Sequence, residues 1–223
     1  MSDAKKNKPA TPDLASVPKA VVSRLSLYLR ELQHLVFDGH ETISSHRLGK
    51  LLGFSDAQVR KDLAYFGQFG HPGIGYRCPE LIAAIRGILG TDAVWPVALV
   101  GVGNLGRALL GYKGFGAQGF QVQAAFDSDA RKTGSTVEGV TVYHFDDLAK
   151  VVRQRGIRVG IVSVPADSAQ TVADRLVEAG VEGIVNFAPV TISLPESVSL
   201  VGVDLAIELE QLAFSVVNRR QTR

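Results

Sequence analysis

Three glycines near the middle of the chain stand between an apolar run typical of a buried strand and a pattern typical of a helix. The apolar run covers residues 95–100, and the helical pattern begins at residue 104. In this setting the first glycine permits a tight turn, the second lets the backbone approach a pyrophosphate, and the third lets the helix pack against the strand. The turn therefore predicts a dinucleotide site built from Gly101, Val102, Gly103, Asn104, Leu105 and Gly106.

An aspartate after the next apolar run indicates which dinucleotide is preferred. Residues 120–126 have the composition of a strand, and Asp127 follows them directly. A carboxylate at this point accepts hydrogen bonds from the adenine ribose and repels a 2′-phosphate, which favours NADH and NAD+ over the phosphorylated cofactors. Arg131 and Lys132 lie close by and weaken that exclusion.

Two later segments fall where strands are predicted to end, which is where ligands bind in sheets of this kind. They are Val164-Pro165 and Asn186-Phe187. These residues are either ordinary loop turns or part of a nicotinamide pocket, and we favour the pocket.

The first ninety residues have the pattern of a DNA-binding module. A long helix is predicted from a Ser16 cap, with Pro18 in its first turn and an apolar stripe of Val21, Leu25, Tyr28, Leu29, Leu32 and Val36. Two short helices follow, joined by residues 52–55, and a glycine-rich segment at 68–77 indicates a small hairpin. This order matches a helix-turn-helix followed by a wing.

The third helix, predicted to run to about Phe66, is the candidate DNA-reading element. Val59, Leu63 and Phe66 share one face and belong in the core, so small and polar side chains occupy the other face. Small residues let a helix enter a major groove, and basic or amide side chains reach bases and phosphates. A solvated helix face is the alternative. The predicted DNA-binding residues are Ser55, Gln58, Arg60, Lys61, Tyr65 and, on the wing, His71 and Gly73.

Composition restricts the function classes. The chain of 223 residues has a net charge of +2, but residues 1–90 hold 12 Lys and Arg against 8 Asp and Glu, which permits a nucleic-acid face there. One cysteine, Cys78, excludes an internal disulfide and a cysteine-built metal site. His34, His40 and His46 lack ligand spacing, so no metal is predicted. The start lacks a secretory pattern and no run is long enough to span a membrane, so the cytoplasm is expected.

The order of elements predicts an α/β fold: an N-terminal winged helix-turn-helix domain, a Rossmann-like doubly wound parallel sheet and a C-terminal helix. Strands are expected near 97–100, 121–126, 140–143, 158–163, 183–187 and 199–203. The predicted organisation is a disordered tail at 1–15, the DNA-binding domain at 16–90, the NAD(H)-binding domain at 91–203 and a dimerisation helix at 204–223.

The sequence closely resembles the Rex family of redox-sensing transcriptional repressors over about residues 16–218. In the first half, the similar runs are Val17-Pro18 through Ser23-Arg24-Leu25, Tyr28-Leu29-Arg30, residues 58–63, Phe66-Gly67 and residues 73–76. In the second half, they are residues 101–107, Gly114-Phe115, residues 124–127, residues 164–166, residues 186–189 and Val203-Asp204.

The resemblance implies a homodimer that binds double-stranded operator DNA, exchanges its C-terminal helix between subunits and is released from respiratory or fermentative genes by NADH. It also implies a switch in which Asp204 alternates between Tyr112 and an arginine of the DNA-binding domain, with Arg30 the first candidate and Arg24 the second. A helix N-cap is the plain role for Asp204, and both roles are compatible. The wing tip departs from the family, which often carries a basic residue there, because it reads Gly70-His71-Pro72-Gly73 in this chain.

Two other function classes fit part of the pattern. An NAD-dependent oxidoreductase would need a substrate domain and a positioned acid or base, and the sequence shows neither a Tyr-x-x-x-Lys pair nor a suitable histidine, so no catalytic residue is predicted. A module that binds coenzyme A or another nucleotide would share the sheet fold without requiring Asp127. Titration with NADH, NADPH and coenzyme A separates these classes.

Overall fold

The structure, a computed structural model, describes residues 17–71 and 73–221. The tail predicted at 1–15 and the Ser16 cap lie outside the described residues. The chain divides into two compact units between Ala93 and Val94. The fold class predicted from the sequence, a helical DNA-binding region followed by a Rossmann-like parallel sheet, is confirmed.

The first unit is mainly helical. Its elements are α1 (Lys19–Phe37), β1 (Thr42–Ile43), α2 (Ser45–Leu52), α3 (Asp56–Ala64), β2 (Tyr76–Arg77) and α4 (Cys78–Leu89). The helix α1 begins one residue after Pro18, which lies outside the helix as its N-cap rather than in its first turn. Val36 was expected in the buried stripe but is 40% exposed, while Leu35 is buried, because the stripe continues three residues after Leu32 rather than four.

The segment expected to form a hairpin at 68–77 is organised differently. His71 and Gly75 form a single bridge at the tip, with the His71 amide donating to the Gly75 carbonyl at 2.8 Å. The strand β2 pairs antiparallel with β1, in the register Thr42 to Arg77. The strand β1 precedes the two short helices and was not predicted, because two residues are too few to show alternation.

The second unit contains a doubly wound sheet. Its strands are β3 (Trp95–Val100), β4 (Phe120–Asp127), β5 (Thr136–Val137), β6 (Val140–His144), β7 (Val159–Val162), β8 (Gly183–Asn186) and β9 (Ser199–Gly202). Their order across the sheet is β5-β6-β4-β3-β7-β8-β9, and only β5 pairs antiparallel. The direction of winding reverses between the neighbours β3 and β7, so ligands are expected at the carboxyl ends of these two strands.

Helices connect these strands. They are α5 (Asn104–Leu110), α6 (Gly114–Ala117), α7 (Leu148–Gln154) and α8 (Ala166–Ala179), with a 3-10 turn at Phe145–Asp147. A further helix, α9 (Leu205–Gln221), follows β9. Side chains from α7 and α8 bury one face of the sheet in a core that includes Phe126, Leu148 and Leu176. The strand β3 is buried because both faces are covered, as its continuous apolar run requires.

The helix α9 is unlike the others, because its apolar side chains are exposed. Those that are at least 46% exposed are Leu205, Ile207, Leu209, Leu212, Phe214, Val216 and Val217. The edge strand β9 beside it in sequence is exposed along its length as well. Among the described residues, no helix is both long and apolar enough to span a membrane.

Candidate functional site

The glycine turn lies at the carboxyl end of β3, and two of its glycines are required by packing. Gly101 has a φ of +99°, and a Cβ there would overlap the carbonyl oxygen of Ser163 in the neighbouring loop. A Cβ on Gly106 would overlap the carbonyl oxygen of Gly101, because the first turn of α5 lies directly on the turn. These two positions therefore set the close approach of helix and strand that a dinucleotide turn needs.

Gly103 differs from its neighbours in the turn. Its φ of −82° is accessible to any residue, and a Cβ there would meet nothing within 4 Å. Neither backbone strain nor packing explains a glycine at this position. An open approach to the backbone does explain it, since a pyrophosphate must come within hydrogen-bond distance of the amides. Asn104 and Leu105 follow with exposed side chains, while Val102 is buried.

Asp127 lies at the end of β4 beside the turn, with 8% of its surface exposed. Its Oδ2 accepts a hydrogen bond from the Val102 amide and another from Lys132 Nζ, both at 2.8 Å, and its Oδ1 accepts from the Asp129 amide at 2.9 Å. Burial alone would raise the pKa of this carboxyl group, but these donors outweigh burial and lower the pKa. Asp127 is thus a charged anchor of the glycine turn as well as the expected ribose ligand.

The basic residues near Asp127 differ in their partners. Lys132 forms the ion pair with Asp127, whereas Arg131 forms a two-pronged pair with Asp129, at 3.0 and 2.8 Å. The sequence placed both close to the ribose site without showing which one contacts the carboxylate. Lys132 is the cation that lowers the effective charge of Asp127.

The loops after β7 and β8 contribute the other predicted cofactor residues. Ser163 Oγ donates to the carbonyls of Val100 and Gly101, which ties the β7 loop to the glycine turn. Val164 packs on the core and Pro165 is exposed beside it. This arrangement brings Val164 and Pro165 to the same edge of the sheet as the turn, where β3 and β7 are neighbours.

Asn186 has a structural role in its loop. Its amide nitrogen donates to the carbonyls of Ala188 and Val190, and its oxygen accepts from the Ala188 amide. The side chain is 4% exposed, so its polar atoms serve the loop, which was the alternative considered from the sequence. Phe187 is half-buried against the core formed by β3 and β4.

Asp204 begins α9, and its Oδ1 accepts a hydrogen bond from the Ala206 amide at 2.8 Å. This is the N-cap role. It borders an open cleft of about 500 Å³ between the β8 loop and α9, with Asn186, Val190, Leu200, Ile207 and Glu208 among the lining residues. Tyr112 follows α5 and is 59% exposed, with its ring edge-on to Phe115 at 5.1 Å.

The predicted helix-turn-helix is formed by α2 and α3. Gly53 ends α2 in the left-handed region at φ +76°, and Ser55 caps α3 by accepting from the Gln58 amide at 3.1 Å. Gly49 is required because a Cβ there would lie 2.5 Å from the Phe54 carbonyl oxygen. The cap uses one lone pair of the Ser55 hydroxyl and leaves its O–H able to donate.

The outer face of α3 carries the expected set of side chains. Val59 and Leu63 are buried, and Phe66 packs on the same core just after the helix ends. Those exposed on α3 and directly after it are Ala57, Arg60, Lys61, Ala64 and Tyr65. Arg60 forms an exposed ion pair with Asp56 at 2.8 Å and a hydrogen bond to Ser45. Salt and phosphates compete well with exposed pairs of this kind.

A groove of about 740 Å³ lies between α3 and the wing segment. Its lining includes Ser44, Ser45, Arg60, Gln68, His71, Gly73 and Tyr76. The structure thus brings Arg60 on the helix to the same surface as His71 and Gly73 on the wing. A reading helix with an adjacent wing requires this geometry, in which one surface faces the major groove and the backbone beside it.

One member of the predicted DNA-binding set is directed inward. Gln58 Nε2 donates to Asp62 Oδ1 at 2.6 Å, and Asp62 is fully buried where it also binds Arg24 and Tyr28. Sequence reasoning did not identify Asp62 as a special residue. An acidic residue between Lys61 and Leu63, on the apolar side of an amphipathic helix, was the available signal. Arg24 is committed to this pair, while Arg30 is exposed on α1.

No group of three or more His, Cys, Asp or Glu side chains suited to a metal ion occurs within residues 17–71 and 73–221.

Comparisons with known proteins cover both units. The family model described as "CoA binding domain" matches residues 92–190, and that described as "Putative DNA-binding protein N-terminus" matches residues 16–64. The redox-sensing transcriptional repressor Rex of Desulfitobacterium hafniense is 48% identical over 204 residues, which cover 92% of this chain and 97% of the relative. The repressor of the same name from Syntrophobacter fumaroxidans is 46% identical over 90% of this chain and 96% of its own length.

Solved structures agree with these matches. The crystal structure of RSP in complex with beta-NAD+ and operator DNA has a TM-score of 0.86 and 34% identity, covering 92% of this chain and 95% of that chain. RSP in complex with beta-NADH has a TM-score of 0.83 and 33% identity over 93% of this chain and 97% of that chain.

Proposed function

The chain belongs to the Rex family of redox-sensing transcriptional repressors, and we propose that its parts divide the work. Residues 16–90 read operator DNA, residues 91–203 bind NADH or NAD+, and residues 204–223 join two subunits. The protein is a DNA-binding repressor rather than an enzyme, since its relatives are named as transcriptional repressors and the similar RSP structure contains operator DNA. Because a repressor must meet its operator, the proposal also locates the protein in the cytoplasm.

The observation that carries this function is that the similarity to each Rex repressor extends over both units of the chain. A CoA-binding module accounts for the match at residues 92–190, but not for the match at residues 16–64. The two Rex relatives described above match over 90% and 92% of the chain, and the RSP structures contain NAD+ with operator DNA, or NADH. The repressor function is therefore supported over an oxidoreductase or a CoA-binding module.

We infer that the cofactor binds across the carboxyl ends of β3 and β7. The amides of residues 101–106 hold the pyrophosphate at the open face of Gly103, and Asp127 accepts a ribose hydroxyl through the remaining lone pair of Oδ1. Val164 and Pro165 lie at the nicotinamide side, with Asn186 and Phe187 shaping the neighbouring loop. The reduced nicotinamide ring is uncharged and the oxidised ring is cationic, so the pocket needs only to distinguish charge and shape.

For DNA, the proposed reading surface is the exposed face of α3 with the wing beside it. Arg60 and Lys61 reach bases or phosphates, Ser55 and Tyr65 contact the backbone at the two ends of the helix, and the wing contributes His71 and Gly73. The ion pair between Arg60 and Asp56 is exposed, so exchanging that partner for a phosphate has little desolvation cost.

Coupling between the two activities requires a dimer. The exposed apolar side chains of α9 are proposed to insert into a second subunit, since an apolar helix left in water is unfavourable. Asp204 at the start of α9, Tyr112 and Arg30 are the proposed switch residues. For this coupling, NADH must bind one dimer arrangement more tightly than the other. DNA then weakens NADH binding by the same factor by which NADH weakens DNA binding.

The test is a binding assay on the DNA upstream of the protein's own gene. Fluorescence anisotropy should show a complex with NAD+ present that dissociates when NADH is added. NADPH and coenzyme A at equal concentrations should not release the DNA. A protein that binds coenzyme A but not NADH would contradict the proposal.

A matched control tests the reading helix. Arg60→Ala with Lys61→Ala should reduce operator affinity strongly while NADH affinity is unchanged, because each good bidentate base contact contributes about 1–3 kcal/mol. Normal operator binding by this double variant would show that α3 is not the reader.

A further inference from the structure

A fully buried carboxylate connects the proposed reading helix to the rest of the first unit. Asp62 on α3 accepts hydrogen bonds from Arg24 Nε at 2.6 Å and Arg24 Nη2 at 2.8 Å, both from α1. The Tyr28 hydroxyl, also on α1, donates to it at 2.7 Å, and Gln58 on α3 donates at 2.6 Å. Each carboxylate oxygen therefore accepts two donors, so its hydrogen-bonding capacity is filled.

The surroundings of this network hold it in one geometry. The Arg24 guanidinium lies 6.0 Å from the centre of the Phe54 ring, and the Tyr28 ring meets Phe54 edge-on at 6.1 Å. Phe54 belongs to the turn between α2 and α3, so the network contacts the reading helix and the turn that precedes it. Burial acts to raise the pKa of Asp62, but the donors outweigh burial and lower it, so the group is charged at neutral pH.

The network also accounts for the direction of Gln58. Its amide group points to Asp62 on the same helix, one turn away, and the side chain is only partly exposed. Turning it outward to a base would remove a donor from a buried charge, which is costly because the charge lacks solvent to replace the donor. Lys61, three residues further along α3, is exposed and has no such constraint.

We propose that Asp62 is a positioning residue for DNA reading, which fixes α3 on α1 through Arg24 and Tyr28 and holds Gln58 away from the bases. Gln58 then acts through Asp62 and does not itself distinguish one base pair from another. This inference rests on the proposed function, because it takes α3 to be the reading helix.

The test compares base preference with affinity. Operators carrying each single base-pair substitution are titrated with the wild type, with Gln58→Met, which keeps the length of the side chain without its amide, and with Lys61→Ala. If Gln58 acts through Asp62, Gln58→Met should weaken all operators by a similar factor, about three- to tenfold. The factor is smaller than the full value of a hydrogen bond to a charged group, because the bond is missing from the free and the bound protein alike and only the looser placement of α3 counts against binding. The ratio between the preferred operator and its substituted forms should stay as in the wild type.

Two results would overturn the inference. A Gln58→Met protein whose preference at one base pair per half-site falls by roughly fivefold or more has lost a base contact. A Gln58→Met protein with unchanged affinity on every operator shows that the network does not position the helix. Thermal denaturation and NADH titration of the same variant confirm that the fold and the second unit are intact.

A second comparison uses the network itself. In an Asp62→Asn background the partner of Gln58 is neutral, so Gln58→Met should reduce operator affinity much less than it does in the wild type. If the two residues acted independently, Gln58→Met would reduce operator affinity by the same factor in both backgrounds. If Lys61→Ala leaves operator binding unchanged, the reading helix itself is wrongly assigned. That outcome is distinct from a failure of the Asp62 inference, because it does not depend on Gln58.

Discussion

Replacing Gly103 by alanine should separate cofactor binding from folding. The backbone at this position has a φ of −82° and a Cβ would meet nothing within 4 Å, so alanine introduces neither strain nor a clash. Alanine is a poorer helix N-cap than glycine, but it also lowers the entropy of the unfolded chain. Since these effects oppose each other, the free energy of unfolding should change by less than about 1 kcal/mol.

The same methyl group should be severe for the cofactor. It projects into the space through which the pyrophosphate is proposed to approach the turn amides. Hydrogen bonds to charged groups contribute about 1.5–3 kcal/mol each, so displacing the pyrophosphate from two amides costs about 3 kcal/mol or more. That corresponds to at least about 150-fold weaker NADH binding. The variant should bind operator DNA normally but remain bound when NADH is added.

The measurements are NADH titration by fluorescence, operator binding by anisotropy and thermal denaturation. Gly106→Ala is the matched control, because the added methyl overlaps the Gly101 carbonyl and should lower the melting temperature. A folded Gly103→Ala protein that binds NADH within about threefold of the wild type would refute the reasoning, since RT ln 3 is only about 0.65 kcal/mol.

Three further predictions concern the other anchors of the structure. Asp127→Ala should lower the affinity for NADH and reduce the preference of the protein for NADH over NADPH, because the carboxylate is the proposed ribose ligand. It should also lower the free energy of unfolding by about 1–3 kcal/mol, because the buried Val102 amide loses its acceptor. Affinities for NADH and NADPH that both stay unchanged would contradict the ribose role. Truncation before Asp204 should abolish the dimer, whereas Asp204→Ala should keep it but uncouple DNA release from NADH. Light scattering that shows a stable dimer of the truncated chain would exclude an exchanged α9. Because the pKa of Asp62 is lowered in the folded protein, its carboxylate should stabilise the first unit at pH values above 3.8, its ordinary pKa. That stabilisation should be lost as the pH falls through the lowered pKa of the folded state. Urea denaturation between about pH 5 and pH 2 should show that the free energy of unfolding falls less with pH in Asp62→Asn than in the wild type.

Some features follow from local spacing and were predictable. The glycine turn was recognised because strand, glycines and helix are contiguous, and the structure gives the turn that context at the carboxyl end of β3. The Ser55 cap and the buried positions of α3 follow from periodicity over a few residues. The alternation of strands and helices after residue 94 indicated the parallel sheet, since short connections of this kind allow few other arrangements.

Partners that are distant in the sequence were decided by the tertiary structure. Asp62 meets Arg24 across 38 residues, and β1 pairs with β2 through Thr42 and Arg77. The spacing of Gln58 on the helix predicts a DNA contact, but the side chain is directed inward because it donates to that buried carboxylate. Periodicity reports which face of an element is apolar, but it does not report which polar groups meet inside. The sequence by itself therefore determined the helices, the strands and the glycine turn. Packing between distant segments decided which polar side chains remain available for DNA and cofactor. The physical reason is that a buried charge is stable only when hydrogen-bond donors from other segments surround it.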